Sequence, residues 1–260
     1  MLDTSAVVTD PWFWAVAVPA VLVTGLSKSG FASGLGSLAT PMIALTLPVP
    51  QAAAIMLPLL MAMDATGLQK LWRERDPVLV RALVPSGLVG IAIGTLCFGL
   101  LSTKAVSGIV GALTLAFLVQ QLLRMWAQRA PADSASGAMP SRWLGRICGV
   151  ASGFTSFIIH AGGPPISAYL LPMRLRPLVL AGTMSVYFAA INAAKVVPYA
   201  ALGLIDLRNL ATSALLLPLA PLGVWAGVRM TRYVSATWFY RVAYLCMGLS
   251  GTKLLWDGLS

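Results

Sequence analysis

Charge is what this chain has least of. Asp and Glu together number eight in 260 residues, and charged residues of both signs make up only 10%. A soluble domain cannot keep its surface in water at that density, so that class is excluded. The three cysteines, Cys97, Cys148 and Cys246, each sit in an apolar segment without CxxC spacing, which argues against a disulfide framework or a thiolate metal site. There is one histidine, no HExxH, no GxSxG and no pair of intramembrane carboxylates, so an intramembrane enzyme is disfavoured and no cofactor is implied. A nucleotide-binding motif is also missing, which leaves an ion gradient or the substrate's own gradient as the source of energy for any transport. Lys and Arg are absent from Met1 to Pro11, so the N-terminus lacks the cationic region of a secretory signal, and we expect it to be retained with a first helix starting at Trp12.

What the chain does have is apolar length. Hydrophobic residues make up 58% and the mean hydropathy is +0.84, the composition of an all-α, polytopic membrane protein. Apolar stretches run from Trp12 to Phe31, Ser37 to Leu47, Gln51 to Gln69, Val78 to Leu101, Ala105 to Met125, Trp143 to Ile159, Ile166 to Met173, Leu178 to Ala201, Leu207 to Val228 and Trp238 to Trp256. A full crossing takes roughly 20 residues, so Ser37–Leu47 and Ile166–Met173 read as half-helices or re-entrant segments within about 8–10 membrane segments. The net charge of +10 would suggest nucleic acid in a soluble protein, but here it is a topology signal and no nucleic-acid partner is expected. Lys70, Arg73, Arg75, Arg81, Arg124, Arg129, Arg142, Arg146, Arg229, Arg232 and Arg241 flank one set of loops, with Arg174 and Arg176 beside them. Lys104, Arg208 and Lys253 flank the other. The first set is therefore expected in the cytoplasm and both termini outside.

Two of the apolar segments are interrupted in their middles. The first reads Gly25-Leu26-Ser27-Lys28-Ser29-Gly30 through Gly34-Leu35-Gly36-Ser37, and the second Gly153-Phe154-Thr155-Ser156 through His160-Ala161-Gly162-Gly163-Pro164-Pro165. Freed backbone is tolerated in a bilayer only where it lines protein or a cavity, so paired interruptions point to a substrate site between two repeats. Gly25, Gly34 and Asp64 lie 128 residues before Gly153, Gly162 and Asn192, while Pro85, Gly90 and Gly94 match Pro218, Gly223 and Gly227 at an offset of 133. One half runs outside to inside and the other the reverse. We therefore expect inverted-topology repeats over residues 12–129 and 142–257, joined by a polar cytoplasmic linker over 130–141.

These residues resemble the TauE/SafE family of sulfite and organosulfonate transporters. The resemblance rests on Gly25-x8-Gly34-x-Gly36 followed by Pro41, on Asp64 after the Pro58 helix, and on Gly153-x8-Gly162-Gly163-Pro164-Pro165-Ile166-Ser167-Ala168-Tyr169-Leu170-Leu171, and it covers about Trp12 to Trp256. It implies a bacterial inner-membrane carrier moving sulfite, C2 sulfonates or similar small anions, often for export. The first break departs from the family pattern in its glycine cluster and in Lys28, so the identity of the substrate is not carried over.

Lys28 lies near the bilayer centre, where an ionisable side chain costs roughly 2.5–3.5 kcal/mol and needs compensation, either from Asp64 or from a substrate anion. Asp64 is the one carboxylate deep in a span; it either binds a coupling H⁺ or Na⁺ or balances Lys28. Lys195 is close enough to a helix end for its stem to snorkel to the interface. Two lysines against one carboxylate leave one positive charge, if His160 is neutral, which a monoanion would neutralise. Half-helix N-termini offer N–H groups and a positive dipole end to an anion, with Gly34 and Gly36 at the first break and Gly162 and Gly163, read as close-approach positions, at the second. Ser27, Ser29, Ser37, Thr155, Ser156 and Ser167 supply hydroxyls, each with a back-bond to an i−4 carbonyl as its plain alternative. His160 is a candidate anion donor or proton carrier. Asn192 reads as a hydrogen-bonding partner across helices, and Tyr169 and Tyr187 as packing. The glycine pairs Gly90/Gly94 and Gly223/Gly227 permit close helix contact within a protomer or in a homo-oligomer. The expected function is a secondary transporter exporting a small anion by alternating access in the lipid bilayer. A channel-like anion conduit, an intramembrane enzyme and a membrane scaffold or sensor are its rivals.

Overall fold

The computed structural model describes residues 7–28, 35–100, 102–127, 141–173, 175–230 and 236–260. Its regular structure is all helical: α1 (Pro11–Lys28), α2 (Ala39–Ile43), α3 (Val49–Leu71), α4 (Pro77–Leu100), α5 (Thr103–Ala127), α6 (Arg142–Ile159), α7 (Gly163–Leu170), α8 (Pro177–Ala201), α9 (Leu207–Leu216), α10 (Leu219–Met230) and α11 (Ala236–Leu259). Five segments among the described residues are long and apolar enough to cross a membrane: Pro11–Lys28, Val49–Glu74, Pro77–Phe98, Leu178–Ala201 and Leu207–Trp225. The chain is a multi-pass membrane protein.

The two short apolar stretches form short helices. α2 has 5 residues and follows a 3₁₀ turn over Leu35–Leu38; α7 has 8 and ends in a 3₁₀ turn over Leu171–Met173. At 1.5 Å per residue neither can cross a hydrocarbon core. The apolar stretch from Leu207 to Val228 is divided by a turn. α9 stops at Leu216, the Leu217 N–H turns back to the Ala214 carbonyl at 3.3 Å, and α10 begins after Pro218. Proline lacks the N–H that would continue the ladder and its ring crowds the carbonyl four residues back. Pro19, Pro58, Pro85 and Pro198 sit inside unbroken helices, so it is the neighbourhood of Pro218 that turns a tolerated residue into a break.

α3 lies at the centre. Val49, Ala53, Ala54 and Leu57 join one buried cluster with Leu83, Phe157, Tyr187, Ile191 and Tyr199. Ala52, Ile55, Met56, Leu59 and Leu60 join a second with Phe13, Val21, Ile43 and Leu216. Lipid would also accept a helix apolar on all sides, so it is the burial of side chains in both clusters that shows α3 surrounded by protein. Around it α1 packs on α10, α4 on α6, α5 on α11 and α8 on α3 itself. Under the sequence offset that matches Gly25 with Gly153, α1 corresponds to α6, α3 to α8 and α5 to α11; the other offset matches α4 with α9 and α10. Exchange of the halves therefore carries α1–α10 into α6–α4 and leaves α3–α8 and α5–α11 unchanged. Large apolar side chains such as Leu96, Trp126, Val197 and Trp256 are exposed, as lipid-facing positions would be.

Glycine sits at the closest point of these crossings. A Cβ on Gly25 would lie 2.8 Å from the Gly223 backbone, and one on Gly153 would lie 2.0 Å from the Gly87 carbonyl oxygen. Gly90 is pressed against the backbone of Val150 and Phe154, and Gly94 against the Phe157 ring. The glycine motif of α4 thus serves a contact inside the chain, as Gly223 does against Leu22 and Gly25. Gly227 lies outside the residues whose side-chain surroundings are described. We expect Gly90→Leu to lower the unfolding temperature in detergent by the equivalent of about 3 kcal/mol, at the upper end of overpacking costs. Gly163→Ala, whose Cβ would meet nothing within 4 Å, should leave it unchanged. Equal melting of Gly90→Leu and wild type would contradict this packing.

Candidate functional site

A line of polar side chains crosses the apolar interior between α1 and the break that separates α6 from α7. Lys28, the last residue of α1, forms an ion pair with Asp64 Oδ1 of α3 and stacks its ammonium 5.3 Å from the Phe188 ring centroid. The other Asp64 oxygen, Oδ2, accepts from Asn192 Nδ2 of α8 at 2.6 Å. Asn192 and Lys195 are three apart and share a helix face. Lys195 Nζ donates to Asn192 Oδ1 at 2.7 Å and turns to the end of α6, with Ser156 O at 2.8 Å, Ser156 Oγ at 2.7 Å and His160 Nδ1 at 3.0 Å. His160 Nε2 lies 2.9 Å from the Ala53 carbonyl of α3. A carbonyl only accepts, so the ring proton sits on Nε2 and Nδ1 presents its lone pair to Lys195. Asp64 and Lys195 are sealed, whereas the Lys28 side chain is 25% exposed.

The second break is a tight turn built around His160. It ends α6 in the left-handed conformation, φ 56°, with its N–H on the Ser156 carbonyl and the Ala161 N–H on the Thr155 carbonyl. It is the single non-glycine residue with positive φ among the described residues. That conformation costs an L-residue roughly 1 kcal/mol, and the ring's contacts to Ala53 and Lys195 hold it there. Thr155 Oγ1 faces the Ala151 and Ala161 carbonyls, both at 2.9 Å, and Ser152 Oγ donates to the Gly162 carbonyl at 2.6 Å. Thr155 thus takes the back-bonding alternative, while Ser156 Oγ accepts from Lys195.

Gly162 has no room for a side chain: its Cβ would lie 2.9 Å from Ser152 Oγ and Ser156 Cβ. Close approach does not apply to Gly163, where a Cβ would meet open space. Pro164 and Pro165 occupy the first turn of α7 and carry no N–H, and the Ile166 N–H belongs to the helix's own ladder, so that helix start offers an anion at most the Gly162 and Gly163 amides plus its dipole. Ser167 lies further along α7, partly buried. At the first break Gly36 sits in the 3₁₀ turn, with Ser27 Oγ 3.3 Å and Thr24 Cγ2 3.9 Å from where its Cβ would be. Ser29 and Gly34 lie outside the described residues, and of Ser37 only the backbone is described.

Lys195 therefore does not snorkel. Its stem is buried and four acceptor atoms draw its head inward, a stronger pull than the interface at the end of α8. Tyr187 and Tyr169 are packed in the core, Tyr187 with its hydroxyl on the Gly149 carbonyl at 3.3 Å. Sequence reasoning missed Phe188, Ser152, the Ala53 carbonyl and Thr40. The Thr40 hydroxyl, one turn beyond Gly36, is buried without a hydrogen-bond partner among the described residues. Only Ser152 had a readable signal, as a hydroxyl one residue before Gly153. An apolar hollow of about 350 Å³ lies between α3, α9 and α10, lined by Met63, Thr66, Leu217, Pro218 and Val224 among others. With no charged side chain in its wall, it is a separate feature from the polar line.

A family model described as Sulfite exporter TauE/SafE matches residues 17–254. No curated protein and no solved structure matches the chain.

Removing one member of a buried ion pair strands the other, at about 3–5 kcal/mol. Because Lys28 is partly exposed, Lys28→Met and Asp64→Asn should each fall toward the low end of that range in detergent unfolding. The double variant should recover a large part of the summed loss. Strict additivity of the two losses would show that the pair is not coupled.

Proposed function

The chain belongs to the sulfite exporter TauE/SafE family, and we propose that it is a secondary carrier that exports small anions such as sulfite or C2 organosulfonates by alternating access. Family membership makes it a membrane transporter of sulfite or a related anion. The observation that carries the finer reading is the buried polar line, in which two lysines face one carboxylate inside an apolar bundle. Charges are kept in such surroundings only when paired or when they serve a substrate or ion path. Lys28, Ser27 and Gly36 approach it from the first break, and Ser156, His160 and Gly162 from the second, with Asp64, Asn192 and Lys195 in between. Asp64 is the group suited to take a coupling H⁺ or Na⁺.

Alternating access in this reading is a rocking of residues 12–129 against 142–257, as inverted repeats about an axis in the membrane plane. The hydrogen bond between the matched residues Asp64 and Asn192, 128 apart, supports such an axis, as does the pattern of helix pairs that survives exchange of the halves. The bacterial inner membrane is the proposed site, with the basic loops cytoplasmic and both termini outside. In support, the turn after α3, with Arg73 and Arg75, packs on the start of α8 just past Arg176, while Lys104 bonds to the Ser260 carbonyl. The glycine stripes are occupied within one chain and give no argument for a homo-oligomer.

Purified protein in proteoliposomes should move sulfite or an organosulfonate with saturation and counterflow. Lys28→Ala and Gly162→Leu should each reduce that flux at least tenfold, as loss of about 1.4 kcal/mol or more of binding or barrier energy. Unchanged flux in both variants would remove the site assignment. Flux without saturation or counterflow would make the protein a conduit instead.

A further inference from the structure

We propose that Lys195, rather than Lys28, sets the charge of the anion that the site accepts, and that it selects singly charged oxyanions, bisulfite and organosulfonates, over dianions such as sulfite itself and sulfate. The proposal rests on the reading of this cluster as the anion site.

The protonation states follow from hydrogen bonding, taken outward from the Lys28–Asp64 ion pair. With Lys28 on Oδ1, Asp64 is a carboxylate, so the Asn192 group that meets Oδ2 is its Nδ2 amide and its Oδ1 faces Lys195. Ser156 O can only accept, and His160 Nδ1 is an acceptor in the neutral ring, whose one proton sits on Nε2 toward Ala53. Lys195 thus meets three groups that only accept, in addition to the Ser156 hydroxyl. A neutral amine has two N–H bonds and would leave one of these acceptors facing a lone pair; an ammonium has three. Lys195 is therefore charged and His160 neutral; the other arrangement that satisfies these contacts, an imidazolium donating to a neutral amine, holds the same single positive charge but puts it on the weaker base. A proton on His160 Nδ1 would point at the ammonium, so the two groups do not both carry one at this spacing.

The charges can then be assigned one by one. Lys28 is matched by Asp64. Lys195 has only neutral acceptors in contact, and its nearest carboxylate is one side-chain amide away. The surplus positive charge belongs to Lys195, buried and without a counter-ion among the described residues, the state that is costly in a low-dielectric interior. One negative charge entering along the exposed Lys28 end offsets it. A second would recreate the same cost with the opposite sign, so selection is by charge before shape. Lys195 need not touch the anion to act in this way: its head is sealed and its hydrogens are occupied, so it is a positioning charge behind the binding surface.

The test compares three anions in proteoliposomes: methanesulfonate, a monoanion at every working pH, sulfate, a dianion, and sulfite, which loses its second proton near neutrality. Methanesulfonate flux reports any pH dependence of the protein and its coupling ion, because the anion's own charge is constant. The ratio of sulfite to methanesulfonate flux should fall as pH rises from mildly acidic to mildly alkaline, and sulfate should be carried at least tenfold more slowly than methanesulfonate. The titratable groups around Lys195 are Lys28, Asp64, His160 and Tyr199, and titration of any of them would tilt the methanesulfonate profile as well. Lys195→Met should lower methanesulfonate flux at least tenfold, and Lys195→Arg should retain the wild-type order of anions. Sulfate carried as fast as methanesulfonate, or a Lys195→Met protein with wild-type flux and preference, would overturn the proposal while leaving anion transport intact. A Lys195→Met protein that does not fold leaves the wild-type pH comparison as the deciding measurement. No flux of any of the three anions would instead remove the proposed function itself.

Discussion

Asn192 is the side chain on which the rest of the polar interior depends. It donates to the Asp64 carboxylate and accepts from the Lys195 ammonium, and a side-chain amide is the group that can do both while remaining neutral. A second carboxylate there would face Asp64 across 2.6 Å, and an apolar residue would leave Asp64 and Lys195 each short of a partner in the dry interior. The same bond ties α3 to α8, the two helices that would lie across the axis between the halves. Chemical and architectural centres of the bundle thus coincide.

That coincidence requires helices closer than ordinary side chains permit. In a membrane no hydrophobic force presses helices together, so packing and interhelical hydrogen bonds must do it, and small residues let backbones approach. Gly25 against Gly223 and Gly153 against Gly87 meet that need, one on α1 and one on α6, the first helix of each half of the sequence. The Gly25 crossing lies within one turn of Lys28, and the Gly153 crossing within one turn of Ser156. Close packing therefore fixes the helix segments that carry the polar groups, and the chain breaks follow directly after them. Close crossings near the ends of α1 and α6 are what hold a lysine head and a histidine ring on the same line.

The parts of this arrangement legible in the sequence are those that depend on spacing. The two breaks, the match of Asp64 with Asn192 and the need to balance Lys28 all follow from counting residues and charges along apolar segments. What spacing does not encode is direction. Asn192 and Lys195 plainly share a helix face, yet whether Lys195 reaches the interface or the core is decided by His160 Nδ1 and the Ser156 carbonyl, on an element more than thirty residues away. Pro85 and Pro218 match in sequence, but α4 continues through one while the other separates α9 from α10. Gly162 and Gly163 read alike, and only the packing of Ser152 and Ser156 separates them. Each miss is a case in which tertiary neighbours, absent from the local pattern, choose between two locally acceptable states.

The departure from two-fold likeness carries as much meaning as the likeness. Shifted by the 128 residues that relate Asp64 to Asn192, Lys28 falls on Ser156 and Lys195 falls on Gly67. The second half thus supplies its ammonium from α8, and that ammonium is bound to Ser156 and Asn192, the counterparts of the very pair, Lys28 and Asp64, that meets in the first half. Two strictly equal halves would hold two lysine–carboxylate pairs and no surplus charge, or two unpaired lysines and a surplus of two. An amide in place of one carboxylate, and a lysine moved to another helix, leave one uncompensated charge while every hydrogen-bonding group along the line keeps a partner. In the proposed repeat reading, likeness of the halves would give a symmetric frame, and the single charge would come from the positions at which they differ.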